Sequence, residues 1–177
     1  MSITMQVASS VLVATLIGVG GGGGAAPETT NGDTDLDPGT IALCNAGFGD
    51  VSVKSYDVPV LDHIDLLCGD DSSGYVHIRK EHENDWQVLV DKYGGGVNWD
   101  DFMEYALAQS VTAPSDGYPI DIGGDKSCYT TPVEIYDQNG TYQSTMNPTI
   151  IVSANNKKII TAVPTTDKVS SNCTAAT

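Results

Sequence analysis

Basic residues are scarce in this chain. Eight Lys and Arg stand against 23 Asp and Glu in 177 residues, a formal charge of −15, which disfavours nonspecific attraction to nucleic acid or anionic lipid. Charged residues reach only 18%, and no composition typical of collagen, coiled coils or multi-span membrane proteins is present. No two cysteines are close enough for CxxC zinc or thioredoxin-like chemistry. There is no GxSxG elbow for a nucleophilic serine. The glycine runs Gly20 to Gly24 and Gly94 to Gly96 do not lie between a strand and a helix, so neither is a phosphate loop. Internal repeats are also absent.

What is present fits one domain with tails. Hydrophobic residues make up 40% of an 18.6 kDa chain, enough to bury a core. Cys44, Cys68, Cys128 and Cys173 form an even, dispersed set that reads as two disulfides, with three pairings open. From Met1 to Pro27 there is no charge, and Val7 to Val19 is an apolar run of signal-peptide length followed by small residues, Gly20 to Ala26. Together these predict a cleaved secretion signal and a secreted, extracellular protein with no stable membrane association after cleavage. The rival is an uncleaved N-terminal anchor, because no Lys or Arg precedes the apolar core. The absence of a cysteine after the run argues against a lipoprotein.

The expected division is a signal-like segment over 1–26, an acidic linker over 27–40, one domain over 41–173 and a tail over 174–177. Asp33, Asp35 and Asp37 in the linker alternate like the start of a calcium loop. Pro38 and Cys44 occupy the positions where such a loop needs Gly and Glu. The linker and signal hold four acids and no base, so residues 41–177 retain 8 bases against 19 acids, a net −11.

Within the domain, Val51 to Val53 predicts a short strand and Leu61 to Leu67 a short helix. Ser72 or Ser73 caps a clearer helix whose stripe is Tyr75, Ile78, His82, Trp86, Leu89 and Tyr93, ended by Gly94 to Gly96. Asn98 begins a second helix, with Asp100 and Asp101 in its first turn and Phe102, Met103, Ala106 and Leu107 on its buried side. After a loop over 113–125 the period becomes alternating. Strands are expected at Cys128 to Tyr136, Thr141 to Met146, Thr149 to Ser153 and Lys157 to Val163, with Asn139-Gly140 as a hairpin turn. The predicted fold class is α+β: two main helices packed on a four-stranded antiparallel meander, stabilised by disulfides.

Two of the three histidines, His77 and His82, fall in GYVHIRKEHENDW. Five residues apart on a helix is about 140° of rotation, so the two rings are not expected to share a site. His82 interrupts an apolar stripe with Arg79 one turn before it, which makes it the better catalytic candidate. A hydrogen-bonded core histidine is the alternative. HxxxxH is not the spacing that puts two imidazoles on one metal, so neither metal nor cofactor is expected.

A helix bearing HIRKEH followed by an antiparallel sheet closing with KKIITAVPTT resembles the barnase, EndoU, colicin and RelE-like superfamily of small metal-independent ribonucleases, common as exported toxin domains. The resemblance covers about residues 70–166. It implies that His82, or else His77, is the catalytic histidine, that Arg79 or Lys158 is the cation, and that Thr161 supplies the hydroxyl, with Thr130 and Thr131 of CYTTP as neighbours. It also implies an RNA substrate, hydrolase activity by general acid–base transesterification, and a proteinaceous inhibitor as partner. A secreted ribonuclease-like effector is therefore the expected function. The acidic charge and the thin basic patch of Arg79, Lys80, Lys157 and Lys158 cut against it and leave as the alternative a secreted, disulfide-stabilised, non-catalytic binding module on the same scaffold. The oligomeric state is not legible.

Overall fold

Asp37 ends the acidic stretch as a helix cap. Its Oδ2 accepts from the Thr40 N–H at 2.7 Å and the Thr40 hydroxyl at 2.8 Å, and Pro38 suits the first turn of α1, Pro38–Asn45. The computed structural model describes residues 36–93, 98–137, 139–165 and 169–174. The signal-like segment 1–26, the glycines 94–96 and most of the expected linker lie outside the described residues. The last residues of that linker, 36–40, belong to the folded body: Leu36 is buried and its N–H donates to Asp101 Oδ1 at 3.0 Å.

The region from 51 to 68 differs from expectation. Instead of a three-residue strand and a helix, it forms an antiparallel hairpin of β1 (Ser52–Val58) and β2 (Asp62–Leu67). The physical reason is visible along β2, where Ile64 and Leu66 are fully buried while His63, Asp65 and Leu67 face the other way. That is a period of two, which a short apolar run does not distinguish from a helix turn by composition alone.

The two main helices form where their stripes predict, as α2 (Gly74–Tyr93) and α3 (Trp99–Thr112). Tyr75, Ile78, Trp86, Leu89 and Val90 of α2 enter the core. Asn98 holds the extended cap conformation of α3, although its side chain makes no capping bond to the backbone.

The meander is replaced by a larger, mixed sheet. The strand expected over Cys128 to Tyr136 breaks at Thr130-Thr131-Pro132 into β4 (Lys126–Tyr129) and β5 (Val133–Tyr136), which belong to different sheets. Pro132 lacks the N–H that a continuous ladder would need. β3 (Ile120–Gly123) forms within the expected loop. The later strands are β6 (Tyr142–Met146), β7 (Thr149–Ser153) and β8 (Lys158–Val163). The main sheet has the order β1-β2-β8-β7-β4-β3, antiparallel throughout except for β2 beside β8, and β5 pairs with β6 as a separate ribbon.

The helices cover one face of the main sheet. Trp86 anchors α2 there, fully buried, with its indole N–H donating to Ala162 O at 3.1 Å and its ring edge-on to Phe102 at 5.8 Å. On the opposite face Cys128, Ile151 and Cys173 form a smaller cluster with Tyr118, Ile120, Ile160 and Val169. The four cysteines pair as Cys44–Cys68 and Cys128–Cys173. Disulfides fit an extracellular protein. Among the described residues no helix is long and apolar enough to cross a membrane.

Candidate functional site

The residues marked as catalytic in the sequence divide between the two faces of the sheet. His77, Arg79 and His82 project from α2. On β8, Ile159 and Ala162 face the helices, whereas Lys158 pairs with Asp65 and Thr161 with Ile151, both on the opposite face. A register irregularity between Ile151 and Val152 places Ile160 and Thr161 together opposite one partner residue, the geometry of a bulge. Thr161 is therefore turned away from α2, whereas the charge of Lys158, at the start of β8, reaches Asp70 on the cleft that Arg79 lines, a cleft whose walls include neither His82 nor Thr161. Thr130 and Thr131 sit in the β4–β5 connection, where the Thr130 carbonyl accepts from Ser115 N–H at 2.9 Å. The hydroxyls of Thr161 and Thr130 are buried and make no hydrogen bond.

On α2 the two histidines approach more closely than their spacing predicts. Their ring centroids are 6.0 Å apart, edge to face, because long side chains lean back along the helix. His77 Nδ1 lies 3.0 Å from Asp71 O and His82 Nδ1 lies 3.2 Å from Asp85 Oδ2. Both partners can only accept, so each ring carries its proton on Nδ1 and leaves Nε2 as the lone-pair nitrogen of the neutral form. His82 is not a core residue: its side chain keeps 21% exposure at the edge of the apolar stripe.

Arg79 lies on the wall of an open cleft of about 600 Å³, bounded by the Cys44 to Gly47 turn, Gly69 to Ser72 and Val76. The acids around it are already engaged. Asp70 accepts from the Ser72 N–H at 2.7 Å and hydroxyl at 2.6 Å, which holds its carboxyl below the ordinary range. Asp71 takes the Lys80 ammonium at 2.7 Å. Of the basic patch expected from Arg79, Lys80, Lys157 and Lys158, Lys80 is paired with Asp71 and Lys158 acts on Asp70, so the patch is partly neutralised. Trp86, Trp99 and Tyr129, which could have stacked on bases, are all in the core.

Two groupings escaped sequence reasoning. His63, on the outer face of β2, has Nε2 3.1 Å from Asp65 Oδ1, and the Ser55 hydroxyl donates to that same oxygen at 2.5 Å. The carboxylate stands between the serine and the imidazole, so the imidazole cannot take the serine proton as a triad histidine does. The other grouping is the outer face of the β5–β6 ribbon, where Tyr136 and Tyr142 pair across the strands. Among the described residues no cluster of three or more His, Cys, Asp or Glu could hold a metal ion. No protein-family model matches the chain, and no curated protein is significantly similar to it.

Proposed function

We propose that this chain is a secreted, disulfide-stabilised binding module rather than a ribonuclease. The observation that carries the reading is that Thr161 faces the opposite side of the sheet from α2, the helix that bears His82 and Arg79. Metal-independent RNA cleavage needs a base, an acid and a cation within reach of one phosphate. A binding protein has no need to gather them.

The pair His77 and His82 supports a second reading. Two imidazoles with Nδ1 bonded to oxygen, on the helix that also carries Arg79, have the makings of an acid–base couple without help from β8. RNA incubated with the oxidised protein and a chelator separates the two readings. The binding-module reading expects intact RNA, from the parent and from His77→Asn and His82→Asn variants that keep the parent's thermal transition. Cleavage to 2′,3′-cyclic phosphate ends, lost by about 100-fold in His82→Asn, would overturn it in favour of the second.

A further inference from the structure

The β5–β6 ribbon carries on its outer face an aromatic surface that the fold does not need. Its inner face, Val133, Ile135 and Met146, is buried in the main core. Glu134 and Tyr136 alternate outward along β5, with Thr145 opposite Glu134, and the register irregularity between Ile135 and Tyr136 brings Tyr142 opposite Tyr136 on that same face. The two rings stand 5.9 Å apart at 76°, and Tyr142 is 53% exposed. Each phenol is tied down along its own strand: Tyr136 donates to Glu134 Oε2 at 2.5 Å, and Tyr142 shares a hydrogen with Thr145 Oγ1 at 2.8 Å. Asp137 stiffens the adjoining turn, its carboxylate accepting from the N–H groups of Asn139 and Thr141, both at 2.9 Å, and from Gln143 Nε2 at 3.0 Å.

Two crossed, immobilised tyrosines beside carboxylates form a corner suited to a cation, which is attracted to the ring faces and to the acids together. The charge pattern agrees. No Lys, Arg or His occurs between Lys126 and Lys157, so Glu134 and Asp137 are the only charges in that stretch. At the ribbon's border Lys92 places its ammonium 4.9 Å over the Tyr93 ring, and Ser144 of β6 and Lys92 together hold the Tyr93 phenol below its ordinary range. The molecule already uses this contact internally.

We propose that the outer face of the β5–β6 ribbon docks a basic polypeptide segment, its Lys or Arg side chains seated against Tyr142 and Tyr136 and paired with Glu134. The inference rests on the binding-module reading. Its test is fluorescence anisotropy of the full oxidised chain with three labelled peptides, alternating Lys-Gly, Arg-Gly and Glu-Gly. The basic peptides bind and the acidic one does not. Tyr142→Ala weakens binding by about two- to fivefold, the scale of an exposed cation–π contact, while Tyr142→Trp retains it. Glu134→Gln weakens it as well, and Asp116→Asn, an equal charge change on the 113–119 loop, does not. Failure of the parent to bind either basic peptide overturns the proposal. So does Tyr142→Ala binding as the parent does with an unchanged thermal transition, or Asp116→Asn matching Glu134→Gln, which would mean diffuse attraction to an acidic surface. Binding that ignores salt and Glu134 points to a neutral ligand and also overturns it. These outcomes are separate from RNA cleavage, which tests the broader reading alone.

Discussion

Glu104 is the residue whose environment departs furthest from its sequence context. In WDDFMEYALAQ it looks like an ordinary surface acid of a helix, yet it is 2% exposed. Its Oε1 accepts from the Tyr56 hydroxyl at 2.9 Å and lies 3.7 Å from Lys54 Nζ. Burial pushes its carboxyl above the ordinary glutamate value, and Lys54 and Tyr56 only partly offset that rise. A carboxyl whose folded value is raised binds its proton more tightly folded than unfolded. The stability it contributes is therefore fully present below about pH 4 and is lost as pH rises through the raised value. Glu104→Gln, which imitates the protonated acid, should match the parent at low pH and equal or exceed it at neutral pH, as read by thermal melts across that range. Tyr56→Phe removes a donor from a buried oxygen and should cost roughly 1–3 kcal/mol in urea unfolding at unchanged m. Neither partner was legible from α3, because both come from β1, 48 residues earlier in the case of Tyr56.

At the scale of elements, the junction of β2 and α2 depends on two glycines. Gly69 and Gly74 both have positive φ, 68° and 80°, and a methyl group added to Gly74 would lie 2.6 Å from Leu67 O. The chain turns so tightly here that backbone replaces side chain as the packing surface. Gly74→Ala combines a disfavoured φ with a clash against backbone and should lower the thermal midpoint by far more than Gly117→Ala. Gly117 also has positive φ but open space around it. The two long helices and the strands from Thr149 onward were readable because their signals are local: a stripe, a capping position, a turn. The first helix, α1, was not, since its first turn lies in the acidic stretch that reads as linker. The sheet order was not, since β2 and β8 meet through Asp65 and Lys158 and no local pattern announces a parallel pairing so distant in sequence. The candidate site suffered for the same reason. The stripe on α2 located His82, but the bulge that turns Thr161 away exists only once β7 and β8 are paired. The edge β1 also carries devices that resist further strand pairing, an irregularity next to Val53 and the inward-pointing charge of Lys54.

For the whole molecule, charge and cross-links act in opposite senses. A net −15 repels itself in the compact state, and added salt screens that repulsion. The thermal midpoint should therefore rise when sodium chloride is raised from about 10 mM to about 150 mM, and a flat response would argue that the acids are already locally paired. Both bridges restrict the unfolded chain, over 24 and 45 residues of separation. Each should contribute roughly 2–4 kcal/mol, and intact mass with and without reductant should show four thiols appearing only on reduction. Their placement has another effect. Cys44 of α1 is fastened to Cys68 just past β2, and Cys173 to Cys128 of β4, so an exopeptidase working inward from either direction meets a covalently fastened residue before it reaches any strand. In a protease-rich medium, a fragment that spans both bridges should resist further trimming and show one defined mass.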